Sequence, residues 1–205
     1  MPRSWLPEDI DAGGSDLPEA LFVKPRDGSA SQDAYPVARA GLATLLPRVP
    51  NPIIQEWIKA PEITVDALLD FAGRPVHFVP RYRIRTLAGE SIQGLTFSDA
   101  DCSEWILEVL ETVASLGGRG PITLQAFLTE GRPTLSEVNP RFGGGFPLTQ
   151  AAGGDYPEWI LRMLEGQNIG ARFGAYKNNL YMTRYYEEIF KEAPGTAGPG
   201  NSLRS

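Results

Sequence analysis

The chain has little of what most enzyme chemistry uses. Its 205 residues include one cysteine, Cys102, and one histidine, His77. A single cysteine excludes an intrachain disulfide, and Cys102, beside Asp101, has no neighbouring cation to activate its thiol. A single histidine excludes a Ser-His-Asp triad or a zinc–histidine centre unless His77 does everything. His77 lies in an apolar strand pattern and reads as a packed residue. Positive charge is also short: 19 Lys and Arg against 25 Asp and Glu leave a net charge of −6. That argues against non-specific nucleic-acid binding, which rests on basic patches. No apolar run reaches the length of a membrane span, and the N-terminus lacks the basic-then-apolar order of a signal peptide. The expected setting is cytoplasmic, with neither nucleic acid nor membrane as partner.

What is present suits a globular chain: 42% hydrophobic and 21% charged residues, over a length that fits one domain or two small lobes. The most informative stretch is 135–146, Leu-Ser-Glu-Val-Asn-Pro-Arg-Phe-Gly-Gly-Gly-Phe. Glu137 and Asn139 stand two apart at what reads as a strand end, so they share one face of a sheet. A carboxylate and an amide oxygen side by side are hard ligands that suit Mg²⁺ better than zinc or copper. Pro140 ends the strand, Arg141 adds a fixed cation, and the glycine run 143–145 lets the backbone turn sharply or approach a ligand closely.

A third ligand is expected from the preceding strand, 122–128. Residues 129–132, Thr-Glu-Gly-Arg, read as a hairpin connection. Folding the hairpin so that Phe127 meets Leu135 puts Gln125 roughly opposite Glu137. Gln125, Glu137 and Asn139 then converge. A polar, solvent-facing side of an ordinary hairpin is the competing reading of the same alternation.

Earlier in the chain, residues 1–18 show no sustained period. A strand at 21–25 carries Lys24 and runs into the small-residue loop 26–31, which includes Ser29. A lysine at a strand end followed by Gly, Ser and small residues can cradle phosphate, while Asp27-Gly28 also marks an ordinary turn. The loop matches neither the Walker pattern nor the dinucleotide fingerprint. Residues 33–46 read as a helix capped by Asp33, with Pro36 in its first turn. Strands follow at 53–58, 62–71 and 74–84. The last brings Arg81, Arg83 and Arg85 to one face, which suits phosphate or carboxylate recognition or a solvated, charge-protected edge. Helices are expected from Ser98 or Asp99 to Leu116, near 148–152, and from Asp155 to Gly166. An aromatic-rich strand is expected within 181–189. The class is α+β, with antiparallel sheets and helices packed on one side.

Four segments in this order resemble the ATP-grasp superfamily, and within it the ATP-binding domains of the carbamoyl-phosphate synthase large subunit. They are Phe22-Val23-Lys24-Pro25 with its loop, Gln55-Glu56-Trp57-Ile58 through Glu62, the segment 120–127 and the segment 136–145. The resemblance covers roughly 21–190 and implies two α+β lobes clasping a nucleotide. It implies that Glu56 and the backbone near Ile58 meet adenine, within a segment that includes Gln55 and Trp57, and that Glu62 binds ribose. Lys24, with Ser29 in its loop, would contact phosphate. Gln125, Glu137 and Asn139 would hold Mg²⁺ (Mn²⁺ as a substitute). Arg141 would steady the transferred phosphate, and Arg81 and Arg83 would help hold phosphate or an acidic substrate. The implied activity is ATP-dependent ligation of a small carboxylate to an amine-like nucleophile through an acyl-phosphate.

The loop departs from the family: Ala30 and Gln32-Asp33 stand where further glycine and a basic residue are usual. The implied organisation is a lead-in segment over 1–20, a small lobe over 21–60, a large lobe with the metal site over 61–190 and a disordered tail over 191–205. Relatives carry a preceding Rossmann-like domain, and nothing before Leu21 is expected to supply one. The alternatives are an ATP-binding module or split-enzyme subunit completed by a separate chain that supplies that domain, a kinase that stops after phosphoryl transfer, or a metal-free structural domain.

Overall fold

Two antiparallel sheets account for the architecture, a four-stranded one of order β1-β4-β2-β3 and a six-stranded one of order β10-β7-β6-β5-β8-β9. The computed structural model describes residues 1–10, 16–27, 32–87, 90–98, 100, 102–129, 132–185 and 187–191. The expected tail, apart from residue 191, lies outside the described residues.

In the small sheet, β2 (Ala20–Pro25) lies between β4 (Pro52–Glu56) and β3 (Tyr35–Ala38). Leu21, Val23 and Ile54 alternate onto one face and are buried with Leu17, Leu42 and Val49. Each such side chain contributes roughly 1.5–3 kcal/mol by leaving water. Helix α1 is confined to Leu42–Leu45, between 3-10 turns at Arg39–Gly41 and Leu46–Arg48. The helix expected over 33–46 is therefore corrected in its first half. Asp33 has φ 53°, a left-handed turn residue rather than a cap. Residues 35–38 pair with β2 as an edge strand, a position that tolerates Pro36 without a donor. The leading segment also contributes a strand: β1 (Ser4–Trp5) pairs with β4, and Trp5 and Ile10 pack against the core.

The large sheet comprises β5 (Glu62–Leu69), β6 (Pro75–Leu87), β7 (Glu90–Thr96), β8 (Gly120–Thr129), β9 (Arg132–Asn139) and β10 (Tyr181–Thr183). β5 is its centre, antiparallel to β6 and β8. On one face Val65, Ala67, Leu69, Phe78, Ile122 and Leu124 pack against Ile106 and Leu110 of α2 (Ser103–Ser115), with Cys102 buried in the same layer. On the other, Leu68 and Val76 pack under α3 (Phe146–Ala151) and α4 (Tyr156–Leu164). Helices therefore cover both faces, not one side as expected. The cause is the apolar stripe Tyr156, Trp159 and Met163 on α4, which requires the Leu68 end of the second face. Asp155 caps α4 by accepting from the Glu158 N–H, with Pro157 in the first turn. His77 is fully buried, edge-on to Tyr156, Trp159 and Tyr176. No helix among the described residues is long and apolar enough to cross a membrane.

The β5–β6 turn is closed by one carboxylate. Asp70 Oδ1 accepts from the N–H groups of Ala72 (2.9 Å) and Arg74 (2.8 Å), and Oδ2 accepts from Arg74 Nε at 2.8 Å. Burial pushes the Asp70 pKa up, but the Arg74 N–H and guanidinium and the Ala72 N–H outweigh it and hold it below the usual value. A depressed folded-state pKa gives stability that is present above the unfolded value and lost as pH falls through the folded one. Asp70→Ala is expected to cost about 1.5–3 kcal/mol at neutral pH. Urea unfolding of both proteins at stepped pH should show the difference narrowing in acid; a gap that does not vary with pH would remove the charge from this account.

Candidate functional site

The second face of the large sheet carries polar residues in rows, because directly paired residues share a face. One row is Asp66 on β5, Thr123 on β8 and Asn139 on β9. The next is Arg81 on β6, Thr64, Gln125 and Glu137. A third holds Arg83 on β6 and Glu62 on β5. Gln125 and Glu137 are register partners, and Asn139 Nδ2 donates to Glu137 Oε1 at 2.9 Å. The three oxygen-bearing side chains thus stand on two adjacent strands with one orientation.

The register arises differently from the expected one. Phe127 pairs with Thr134 and Ala126 with Leu135, rather than Phe127 with Leu135. Continued unbroken, that register would set Gln125 opposite Ser136 and turn Glu137 to the other face. A bulge that leaves Ser136 unpaired restores the match.

Two members of these rows form a buried ion pair. Arg81 and Asp66 are each 2% exposed, with Arg81 Nε donating to Asp66 Oδ2 at 3.0 Å. Thr149 on α3 donates to the same oxygen at 2.7 Å, and Tyr156 on α4 donates to the Asp66 main-chain carbonyl at 2.9 Å. Burial pushes the Tyr156 phenol well above its ordinary pKa, and the Asp66 charge adds to that, so it remains a donor. Arg81 Nη1 is buried without a hydrogen-bond partner among the described residues.

The glycine run lies against this pair. A Cβ on Gly143 would stand 2.9 Å from Asp66 Oδ1, and one on Gly145 would stand 2.5 Å from Arg81 Nη1. Neither glycine has positive φ. They are required for close approach, and what they approach is the protein's own ion pair. Thr123 Oγ1 lies 2.9 Å from the Arg141 carbonyl and 3.3 Å from Asp66 Oδ1. Arg184, just beyond β10, donates to the Gly144 carbonyl.

Arg83, its side chain 9% exposed, binds Glu62 and also donates to Gln125 Oε1 at 2.7 Å. Carboxylates of the chain itself therefore relieve the expected repulsion between the arginines. Arg85 does not continue the row. A register shift sets Arg83 opposite Gly94 but Arg85 opposite Gln93, so Arg85 turns from that face and is exposed.

On the small sheet, Lys24 and Gln55 share the face away from the buried core, with Gln55 donating to Ser4 Oγ at 2.9 Å. Glu56 lies on the opposite face, ion-paired to Arg3 at 3.0 Å. Burial pushes the Glu56 pKa up, but the Arg3 N–H and guanidinium prevail and hold it low. The side chains of Glu56 and Lys24 are thus not brought together. Trp57 is half-exposed in the link to β5, with Lys59 Nζ 4.3 Å from its ring centroid, and Ile58 follows it there. Ser29 lies outside the described residues.

The donor set fits a hard divalent cation: one carboxylate and two amide oxygens on one face, with Gln125 Oε1 keeping a second lone pair beside its bond from Arg83. Among the described residues no cluster of three or more His, Cys, Asp and Glu could hold a metal. Any cation here would depend on the two amides and on its own ligand. Asp66, Thr123, Thr149 and Arg184 were not legible as site residues. The available signal was an acid at mid-strand in β5, flanked by the apolar Val65 and Ala67, which requires a buried partner.

The close approach of Gly145 is testable. Gly145→Ala sets a methyl into a pinned guanidinium and is expected to cost about 1–3 kcal/mol. Gly170→Ala, whose methyl would meet nothing within 4 Å, should stay within about 0.5 kcal/mol. Thermal unfolding of the two variants compares them directly, and equal melting temperatures would contradict the packing described.

The fold is shared with solved structures of low sequence identity. One is the biotin carboxylase domain of Hydrogenobacter thermophilus 2-oxoglutarate carboxylase, in complex with MgADP, ADP and bicarbonate: 15% identity, TM-score 0.65, covering 82% of this chain and 41% of that one. N5-carboxyaminoimidazole ribonucleotide synthetase from Thermus thermophilus matches at 19% identity and TM-score 0.66, covering 83% and 49%. L-amino acid ligase from Bacillus licheniformis matches at 20% identity and TM-score 0.61, covering 79% and 42%. The chain thus spans less than half the length of each. No curated protein is matched in sequence. The family described as "ATP-grasp in the biosynthetic pathway with Ter operon" matches residues 48–185, which include β5 to β10 and every large-sheet residue of the site, and the chain belongs to this ATP-grasp family.

Proposed function

We propose that the chain binds Mg²⁺·ATP and forms the nucleotide-handling part of a ligase that joins a small carboxylate to an amine or related nucleophile. The observation that carries this reading is the shared face of Gln125, Glu137 and Asn139, with Arg141 just beyond the strand end. Phosphoryl transfer asks little covalent chemistry of a protein and mainly needs charge neutralisation and in-line positioning. Gln125, Glu137 and Asn139 would hold the cation, which would supply charge neutralisation at the phosphates. Lys24 faces away from the small-sheet core, where it can meet phosphate. Arg141 would steady the transferred phosphoryl group. Glu62, in the nucleotide-free chain bound to Arg83, would exchange that bond for ribose hydroxyls, leaving Arg83 to face phosphate or an acidic substrate. Gln55, Trp57 and Ile58 would line the adenine side, with Glu56 contributing through its backbone.

In the reaction a carboxylate oxygen attacks the γ-phosphorus and ADP leaves. The nucleophile then attacks the acyl carbon and phosphate leaves. Water must be excluded meanwhile, because an acyl-phosphate hydrolyses. Similar proteins are named as a ligase and a synthetase, and one was solved with MgADP, which supports the nucleotide and the cation. A second reading is an ATP-binding module without independent catalysis, whose site a separate chain completes.

Calorimetry with ATP, with and without Mg²⁺, tests the first step. Binding is expected to require Mg²⁺ and to fall roughly tenfold or more, about 1.4 kcal/mol, in Glu137→Ala. Equal affinity in the folded variant would remove the trio from the account. ATP turnover with and without candidate partner chains then separates the two readings.

A further inference from the structure

We infer that Thr123 is a positioning residue for Arg141, holding the turn that aims its guanidinium through one shared hydroxyl proton. The inference rests on the Mg²⁺·ATP reading of the site. Thr123 is 4% exposed on β8, between Asp66 on β5 and Asn139 on β9, and two residues before Gln125 on the same face. Its hydroxyl has one proton to give. Two groups that can only accept face it: the Arg141 carbonyl at 2.9 Å and Asp66 Oδ1 at 3.3 Å. The other carboxylate oxygen, Oδ2, is served by Arg81 and Thr149. The shorter contact assigns the proton to the Arg141 carbonyl.

That bond falls where the chain has no ladder to hold it. β9 ends at Asn139, and Pro140 has no N–H. The turn beyond is tied by the Arg141 N–H to the Asn139 carbonyl (2.9 Å) and by the Phe146 N–H to the Gly143 carbonyl (3.0 Å). Both ties are internal to residues 139–146. Thr123 is the side chain that anchors the Arg141 end to the sheet, as Arg184 anchors Gly144. One residue thus sets Asn139 through register and Arg141 through its hydroxyl, so the metal ligands and the cation behind them share one reference point.

The test uses the full chain with Thr123→Val, which keeps the shape and removes the donor, and Thr123→Ser, which keeps the donor. Mg²⁺·ATP affinity by calorimetry is expected to fall roughly threefold to tenfold in the valine variant, the worth of one hydrogen bond, and to return with serine. In an Arg141→Ala background, Thr123→Val should change affinity little further, because the two act as one unit. Equal losses in both backgrounds would mean a merely structural role and overturn the inference. Amide hydrogen exchange on the nucleotide-free chain gives an arm independent of ATP: Arg141 and Phe146 should exchange faster in the valine variant while the β8–β9 ladder is unchanged. Unchanged exchange at both amides would overturn it as well. Faster exchange in a chain that binds no Mg²⁺·ATP would uphold the latch and overturn the ATP reading instead.

Discussion

The buried pair of Asp66 and Arg81 is the constraint on which the rest of the large sheet and its helices depend. Two charges at 2% exposure are tolerated only when geometry and further hydrogen bonds repay their lost hydration. Here repayment comes from different elements: β6 supplies the guanidinium and α3 the Thr149 hydroxyl, while α4 sends Tyr156 to the Asp66 carbonyl. Removing one charge would strand the other, a loss of about 3–5 kcal/mol. The same geometry dictates sequence at a distance, since Gly143 and Gly145 leave no room for a side chain above the pair.

This changes what the glycine run means. A glycine triplet after a strand suggests a flexible loop approaching a ligand. Here Arg141 is held through its carbonyl, Gly144 through Arg184, and Gly143 and Gly145 by contact. Backbone fixed before a ligand arrives need not be ordered by it, which lowers the cost of binding.

The shared face of Gln125, Glu137 and Asn139 was legible because strand alternation and residue chemistry are local. Glu137 and Asn139 two apart must share a face, and Gln125 needed only a hairpin of the right length. The hairpin register itself was not legible: the expected Phe127–Leu135 pairing is one residue off, and the bulge at Ser136 cancels the difference. A bulge depends on competition between ladder bonds and side-chain placement across two strands, which no single strand's pattern records. The helix expected over 33–46 failed for a related reason. Small and apolar residues with an early proline suit a helix locally, but the open edge of β2 takes 35–38 as a strand. β7 drew no expectation at all, because Gly94 interrupts its pattern; that glycine makes room for Leu148 of α3. The α+β class, the capping of α4 by Asp155 and the packed role of His77 depended on local chemistry and are found as read.

The charge balance of the trio bears on the order of events under the proposed reading. Gln125, Glu137 and Asn139 carry one formal negative charge between them, and Arg83 donates to the Gln125 oxygen. A divalent cation alone would meet one carboxylate and a nearby guanidinium, a weak field compared with sites built from several carboxylates. ATP changes that balance, because its phosphates bring the missing negative charge and hard oxygens with them. Mg²⁺ characteristically binds through one or two carboxylates plus substrate phosphates. The site is therefore better suited to receive the cation with the nucleotide than before it. The bonds of Arg83 to Glu62 and Gln125 then serve the nucleotide-free state, occupying oxygens that would otherwise face one another without a cation between them.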